Sequence, residues 1–249
     1  MTPTESIPPR PRRGFLTAEW RHLLMLNYPV ERSLIEPFVP QGTTLDTFQG
    51  RAYVSLVGFL FLNTRVLGVP VPFHRDFEEV NLRFYVRRFA DGDWRRGVVF
   101  IKEIVPKPMI AAVARAAYNE AYIALPMQHQ IELQPDGAPA AVEFCWEQGE
   151  SSFALRAKAV NPARLPAPGS LVEFITEHYW GYVRQRAGGS VEYQVEHARW
   201  HVWPAKDTAF EGDATSLYGG DFAKALRAAP ASAFIADGSA VTVFQGTRM

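Results

Sequence analysis

Residues 79–89 read Glu79-Val-Asn-Leu-Arg-Phe-Tyr-Val-Arg-Arg-Phe89, and apolar and polar side chains alternate along them. In a β-strand successive side chains point to opposite faces, so every second residue shares a face. One face would carry the apolar side chains of Val80, Leu82, Phe84 and Val86. The other would carry the glutamate, the asparagine, the tyrosine and two of the arginines. The pattern therefore predicts a strand with one apolar and one polar face.

The segments on either side extend this strand into a sheet. Asp91-Gly92-Asp93 has the composition of a turn, and a second β-rich run follows over residues 97–105, which predicts a hairpin. Further short strands recur along the chain, with few helices between them. This arrangement is typical of an antiparallel barrel or a folded double sheet. We therefore predict a mainly β protein with a few peripheral helices.

The positions of proline, glycine and helix-capping residues indicate how the chain is organised. The Pro- and Arg-rich residues 1–13 are expected to form a flexible arm, and residues 14–249 a single domain. A helix is predicted over residues 106–118. A capping-box pattern predicts another helix over residues 170–186, and a strand is predicted over residues 191–203.

Composition restricts the class of function. The chain has 26 Lys plus Arg against 26 Asp plus Glu, so it lacks the net positive charge that nucleic-acid binding normally needs. Cys145 is the only cysteine, and neither a metal-ligand set nor a cofactor-binding motif stands out. No apolar stretch is long enough to span a bilayer, and the N-terminal segment is unlike a secretory signal. We expect a cytoplasmic protein without metal, cofactor, membrane or nucleic-acid partner.

Several short motifs, in one order, resemble the DUF2071 (YqjF-like) family of uncharacterised bacterial proteins. They include Tyr28-Pro29-Val30, Gly50-Arg51-Ala52-Tyr53, Glu79-Val80-Asn81-Leu82-Arg83 and His197-x-x-Trp200. This family is placed in the acetoacetate decarboxylase-like superfamily. The resemblance implies an antiparallel β-barrel or cone with a ligand cavity inside, and it implies self-association, because the decarboxylase relatives are oligomers.

The resemblance also implies which residues enter the cavity. It puts Arg21 at the family's cavity arginine and Glu79 at its cavity glutamate, whereas Tyr122 takes the position of the Schiff-base lysine that the decarboxylase uses. Acetoacetate decarboxylation by that mechanism is therefore not expected. The resemblance implies instead a small organic acid or carbonyl ligand, with Arg21 and Glu79 as catalytic candidates. Lyase, hydratase or isomerase chemistry with Glu79 as acid or base would fit.

Six more side chains are candidates for substrate binding: Tyr118, Tyr122, Tyr193, Arg83, His197 and Lys102. Lys102 is the only lysine inside a predicted strand and could be an alternative amine nucleophile or a surface partner of a carboxylate. His197 could act as an acid or base near neutral pH if it faces the cavity. His197 and His201 are four residues apart, but a strand would not place them together as a metal pair.

Two alternative interpretations of the same residues involve no catalysis. The barrel could bind or sense a ligand without turnover. Alternatively it could be filled by side chains, with Arg21 and Glu79 as an internal ion pair. Glu79 could also lie on a solvent-exposed face beside Arg83, where an ion pair contributes little to stability.

Overall fold

A computed structural model of the protein describes residues 14–111 and 121–249. The predicted arm over residues 1–13 lies outside the described residues. Of the predicted helix over residues 106–118, residues 108–111 are helical. The remainder of that segment, including Tyr118, also lies outside the described residues.

The described chain is mainly β, as predicted, with a few short helices. The strands are β1 (Gly14–Val30), β2 (Thr44–Leu45), β3 (Ala52–Val66), β4 (Val69–Pro70), β5 (Phe77–Ala90), β6 (Asp93–Val105), β7 (Tyr122–Ala124), β8 (Met127–Leu133), β9 (Pro139–Gln148), β10 (Ser151–Ala159), β11 (Trp180–Arg184), β12 (Ser190–His197), β13 (Val202–Glu211), β14 (Ser232–Phe244) and β15 (Thr247–Arg248). The helices with defined ends are α1 (Arg32–Ile35), which continues as a 3₁₀ turn over Glu36–Phe38, α2 (Leu171–Thr176), α3 (Ala214–Tyr218) and α4 (Gly220–Leu226).

Seven strands close into a barrel. They lie in the order β14-β1-β3-β5-β6-β11-β12, and β12 pairs again with β14. Most neighbours are antiparallel, whereas β7 and β11 pair with β6 in parallel. The predicted hairpin is confirmed as β5 and β6, which pair from Ala90↔Asp93 to Val80↔Ile104. Strands β13, β10, β9 and β8 continue the sheet beyond the barrel.

Strand β5 is buried on both faces. Its apolar face, with Val80, Leu82 and Phe84, packs into a core that also contains Phe144 and Leu155 of the outer strands. Its other face carries Phe77, Glu79, Asn81, Arg83 and Tyr85, each at most 8% exposed. The face that looks polar in the sequence therefore points into the barrel, and a solvent-exposed Glu79 is excluded.

Two segments differ from the prediction. The helix that begins after the Ser170 cap ends at Thr176, and residues 180–184 form β11 instead of a longer helix. Tertiary packing outweighs the local preference for a helix here. The backbone at Gly181 packs so closely against Tyr193 that an added Cβ atom would lie 2.1 Å from the ring. The predicted strand over residues 191–203 is divided into β12 and the start of β13.

Within the two described ranges, no helix is both long enough and apolar enough to cross a membrane.

Candidate functional site

The barrel encloses a cavity of about 380 Å³. This volume lies within the range of pockets that hold small organic ligands. The reading of the barrel as filled by its own side chains is therefore wrong. Polar groups from several strands, from the end of α2 and from the segment after it line one part of the cavity: Glu79, Asn81, Arg83, Glu103, Tyr122, Thr176, His178 and Tyr193.

Glu79 is one of the two glutamates in this polar part of the cavity, with Glu103 as the other. It is 2% exposed and accepts two hydrogen bonds, one from Asn81 Nδ2 at 2.9 Å and one from the Tyr122 hydroxyl at 2.9 Å. Burial disfavours the charged carboxylate and raises the pKa of Glu79 to about 7, although the two hydrogen bonds and the charge of Arg83 act in the opposite direction. A carboxyl group with this pKa can both release and accept a proton near neutral pH.

Arg83 is the one arginine or lysine among the described residues that lines the cavity. Its side chain is 8% exposed, and its Nη2 lies 3.7 Å from the sulfur of Met25. In residues 14–111 and 121–249, no carboxylate forms an ion pair with this guanidinium. A buried arginine normally has a carboxylate or phosphate partner, because removing its charge from water is costly. Among the described residues, the guanidinium of Arg83 therefore faces the cavity without an ion-pair partner, although its charge acts on Glu79.

Several cavity-lining side chains have a buried polar atom without a hydrogen-bond partner among the described residues. These atoms include Trp20 Nε1, Thr64 Oγ1, Asn81 Oδ1, Arg83 Nε and His178 Nδ1. Buried polar atoms in folded proteins are nearly always satisfied, so such a group of atoms at a cavity needs an explanation. A polar ligand or ordered water would supply the missing partners.

His178 is neutral at pH 7. Its Nε2 lies 3.4 Å from Asp46 Oδ2, and Arg96 donates to the same carboxylate oxygen at 2.7 Å. Burial lowers the pKa of His178 to about 4, because the interaction with Asp46 only partly offsets the loss of solvation. Asp46 and Arg96 thus fix the ring without charging it.

The predicted pair of Arg21 and Glu79 is wrong. Arg21 Nη2 forms an ion pair with Glu19 Oε2 at 2.6 Å, its side chain is 37% exposed, and it does not line the cavity. The adjacent Trp20 lines the cavity, so Arg21 points to the opposite face of β1. A bulge then follows at His22, which has a φ of 54°, and Leu23 again faces the cavity.

Lys102 faces away from the cavity. Its Nζ donates to the carbonyl oxygen of Leu217 and lies 5.9 Å from the ring centre of Tyr218, both in α3. Burial lowers the pKa of this amine. All five lysines of the sequence lie within the described residues, and none of them lines the cavity. An imine-forming amine is therefore missing from the site.

The remaining candidates divide into those inside and those outside the cavity. Tyr122, Tyr193 and His197 line it. His197 stacks between Tyr179 and Trp200 at ring distances of 4.6 and 4.4 Å, and burial lowers its pKa. His201 instead lies near Asp237, on the surface. The part of the chain that the structure describes contains no cluster of three or more side chains suited to a metal ion.

Sequence reasoning overlooked Asn81, Glu103 and His178. Asn81 could have been found, because it lies between Glu79 and Arg83 on the same face of a predicted strand. His178 could not have been found in this way, because the sequence favours a helix across residue 178. That helix does not predict that the side chain points into the barrel.

Comparisons with known proteins agree with this architecture. The model of the family DUF2071, described as an uncharacterized conserved protein, matches residues 17–240. The uncharacterized protein YqjF of Bacillus subtilis is 26% identical over 205 residues, which cover 80% of each chain. Among solved structures, acetoacetate decarboxylase from Legionella pneumophila has a TM-score of 0.67 at 11% identity, covering 100% of this chain and 98% of that one. The enduracididine biosynthesis enzyme MppR, solved in complex with pyruvate, has a TM-score of 0.61 at 13% identity, covering 98% and 93%. At these identities the solved structures establish the fold alone.

Proposed function

The chain belongs to the DUF2071 family, and from the cavity inside its acetoacetate decarboxylase-like fold we propose that it binds a small organic acid, whose carboxylate is held by Arg83. The single observation that carries the proposal is the buried guanidinium of Arg83, which faces the cavity without an ion-pair partner among the described residues. A ligand carboxylate would supply both the missing charge and the acceptor atoms that arginine binds in parallel. MppR, with the same fold, has been solved with the oxo acid pyruvate, which supports this ligand class.

The reaction that fits the site is proton transfer by Glu79. A pKa of about 7 keeps this carboxyl group partly protonated at neutral pH, and the Tyr122 hydroxyl at 2.9 Å can stabilise either form. With its carboxylate on Arg83, a ligand would bring its neighbouring carbon or oxygen atoms toward Glu79. General acid–base catalysis of this kind serves lyases, hydratases and isomerases. We propose this class of reaction.

A receptor without turnover is the second candidate function. This function is favoured by the finding that none of the five lysines lines the cavity. The site then lacks the Schiff-base lysine that acetoacetate decarboxylase uses as its nucleophile. Ligand binding without conversion would distinguish this function from the first.

Trapping with borohydride tests whether the protein forms a Schiff base. Borohydride reduces an imine between a lysine amine and a carbonyl ligand to a stable secondary amine. We expect the intact mass of the protein to remain unchanged after treatment with pyruvate and borohydride, and the variant Lys102→Met to behave in the same way. A stoichiometric adduct on one lysine of the wild type would contradict this reading of the site.

The ligand class is tested with matched acids and amides. Pyruvate, lactate, benzoate and hexanoate are compared with the corresponding neutral amides in thermal unfolding. A ligand at a hundredfold excess over its Kd adds about 2.7 kcal/mol of stability, which raises the Tm of a chain of this size by roughly 5–10 °C. We expect at least one acid to raise the Tm and its amide to leave it nearly unchanged. Equal shifts by acid and amide would show that the charge of Arg83 does not select the ligand.

A further inference from the structure

Beyond its polar part, the cavity continues into an aromatic section. Phe61 and Phe77 stack there with a ring distance of 4.7 Å and an interplanar angle of 12°, and Trp20 contacts Phe61 edge-on at 5.9 Å. All three side chains line the same cavity as Glu79 and Arg83. The cavity is therefore amphipathic. Its charged side chains lie in one part, and the other part is mainly aromatic, with Trp20 Nε1 and Thr64 Oγ1 as buried polar atoms.

Strand register gives the separation of the two parts. Phe77 pairs with Phe61, which pairs with Trp20, so the aromatic section is one level of the barrel. The guanidinium of Arg83 reaches Met25, and Met25 lies at the level of Asn81 through Val57. Asn81 lies four positions after Phe77, which is a distance of about 13 Å along the strand.

The aromatic section leads toward solvent. Beyond it, the cavity is lined by Val66, Val71 and Met109, and Met109 is 63% exposed. A ligand could enter here with its carboxylate first and leave its apolar end among the rings.

We propose that the ligand is an acid with an extended apolar tail, about eight to ten carbons long, and not a compact oxo acid. This inference rests on the proposed function, because it assumes that the carboxylate binds Arg83. A tail of this length spans roughly 10–13 Å, since each carbon of an extended chain advances by about 1.25 Å for a C–C bond near 1.5 Å. A three- or four-carbon acid on Arg83 would leave the aromatic section, and most of the 380 Å³ volume, unfilled.

The test is a calorimetric titration with a series of straight-chain acids from acetate to decanoate, together with pyruvate and acetoacetate, below the concentrations at which the longer acids form micelles. Each additional buried methylene should lower the Kd roughly fourfold, which corresponds to about 0.8 kcal/mol, until the tail reaches the opening. Octanoate should therefore bind more than 100-fold more tightly than butanoate, and octanamide much more weakly than octanoate.

A matched pair of variants locates the tail. Val66→Phe narrows the cavity beyond the aromatic section, whereas Val69→Phe adds the same bulk at an exposed position on the paired strand β4. We expect Val66→Phe to weaken octanoate binding at least tenfold and to leave butanoate binding unchanged. Val69→Phe should change neither.

The two proposals fail in different ways. If pyruvate or acetoacetate binds as tightly as octanoate, the extended tail is wrong and the binding of an acid at Arg83 stands. If no acid binds at any length, both proposals are overturned. An affinity that rises with length but is the same for acids and amides keeps the apolar section as a binding site and removes Arg83 as the anchor, which also contradicts the proposal of an acid.

Discussion

The variant Arg83→Met is expected to weaken binding of the carboxylate ligand by about 30-fold or more. Removing one partner of a buried, hydrogen-bonded charge pair costs roughly 2–5 kcal/mol, and each 1.4 kcal/mol is a factor of ten in Kd. The unliganded variant should be at least as stable as the wild type, because Arg83 is a buried charge for which the described residues provide no ion pair. Calorimetric titration and urea unfolding of the same preparations measure both quantities.

The matched control for this variant is Arg21→Met. It makes the same replacement on the opposite face of β1, where Arg21 forms a partly exposed ion pair with Glu19. Such pairs contribute at most about 1 kcal/mol to stability, and this one lies outside the cavity. Ligand binding should remain within threefold of the wild-type value. If Arg83→Met binds as the wild type does and Arg21→Met does not, the cavity arginine has been misidentified.

The variant Glu79→Gln is expected to change how stability depends on pH. In the wild type, the pKa of Glu79 is about 7 in the folded state and near its ordinary value of 4.5 in the unfolded state. Between these values the folded protein holds a proton that the unfolded chain has released, so Glu79 makes stability fall as the pH rises from 4.5 to 7. Over the whole interval this loss is about 3 kcal/mol. Glutamine does not titrate, and its side chain can keep both neighbours, since the Tyr122 hydroxyl can accept as well as donate.

Urea unfolding of both proteins from pH 4.5 to pH 8.5 isolates this contribution, since all other groups titrate in both. Glu79→Gln and wild type should be similar near pH 4.5, and the variant should be more stable by up to about 3 kcal/mol at pH 8. The further variant Tyr122→Phe should move the midpoint of the wild-type change to higher pH, because the hydrogen bond from Tyr122 lowers the pKa of Glu79. A difference between Glu79→Gln and wild type that stays constant with pH would mean that Glu79 is not a buried acid with a raised pKa.

The β5–β6 hairpin could be predicted because two signals agree there. Apolar residues recur at every second position, and Asp91-Gly92-Asp93 supplies the turn. The environment of the polar face could not be predicted. An alternating pattern separates two faces, but it does not distinguish bulk solvent from the polar part of an internal cavity. The structure resolves this for Glu79 by closing the sheet into a barrel.

Arg21 shows the limit of transferring a site residue by position. A single step along a strand reverses the direction of a side chain, so the inward-facing Trp20 excludes Arg21 from the cavity. The cavity arginine is Arg83, which the alternation of β5 had already placed on the same face as Glu79. The alternation of side chains along β5 thus indicated the cavity arginine better than the family resemblance, which had put Arg21 at that position.

The helix predicted over residues 170–186 illustrates a different limit. The cap is confirmed, because Ser170 Oγ accepts a hydrogen bond from the Glu173 amide at 3.2 Å. The end of the helix depends on contacts distant in sequence, since residues 180 and 181 pair with Gly97 and Val98 of β6. Local signals therefore locate the beginning of α2, whereas the early end that places His178 in the cavity is a tertiary effect.

The most direct test of an acid-binding cavity is a crystal structure of the protein soaked with octanoate. We expect the ligand carboxylate to lie within hydrogen-bonding distance of the Arg83 guanidinium and near Glu79, with the tail extending past Phe61 and Phe77 toward Met109. An ion pair between Arg83 and a protein carboxylate, with the ligand bound elsewhere or not at all, would contradict the proposal.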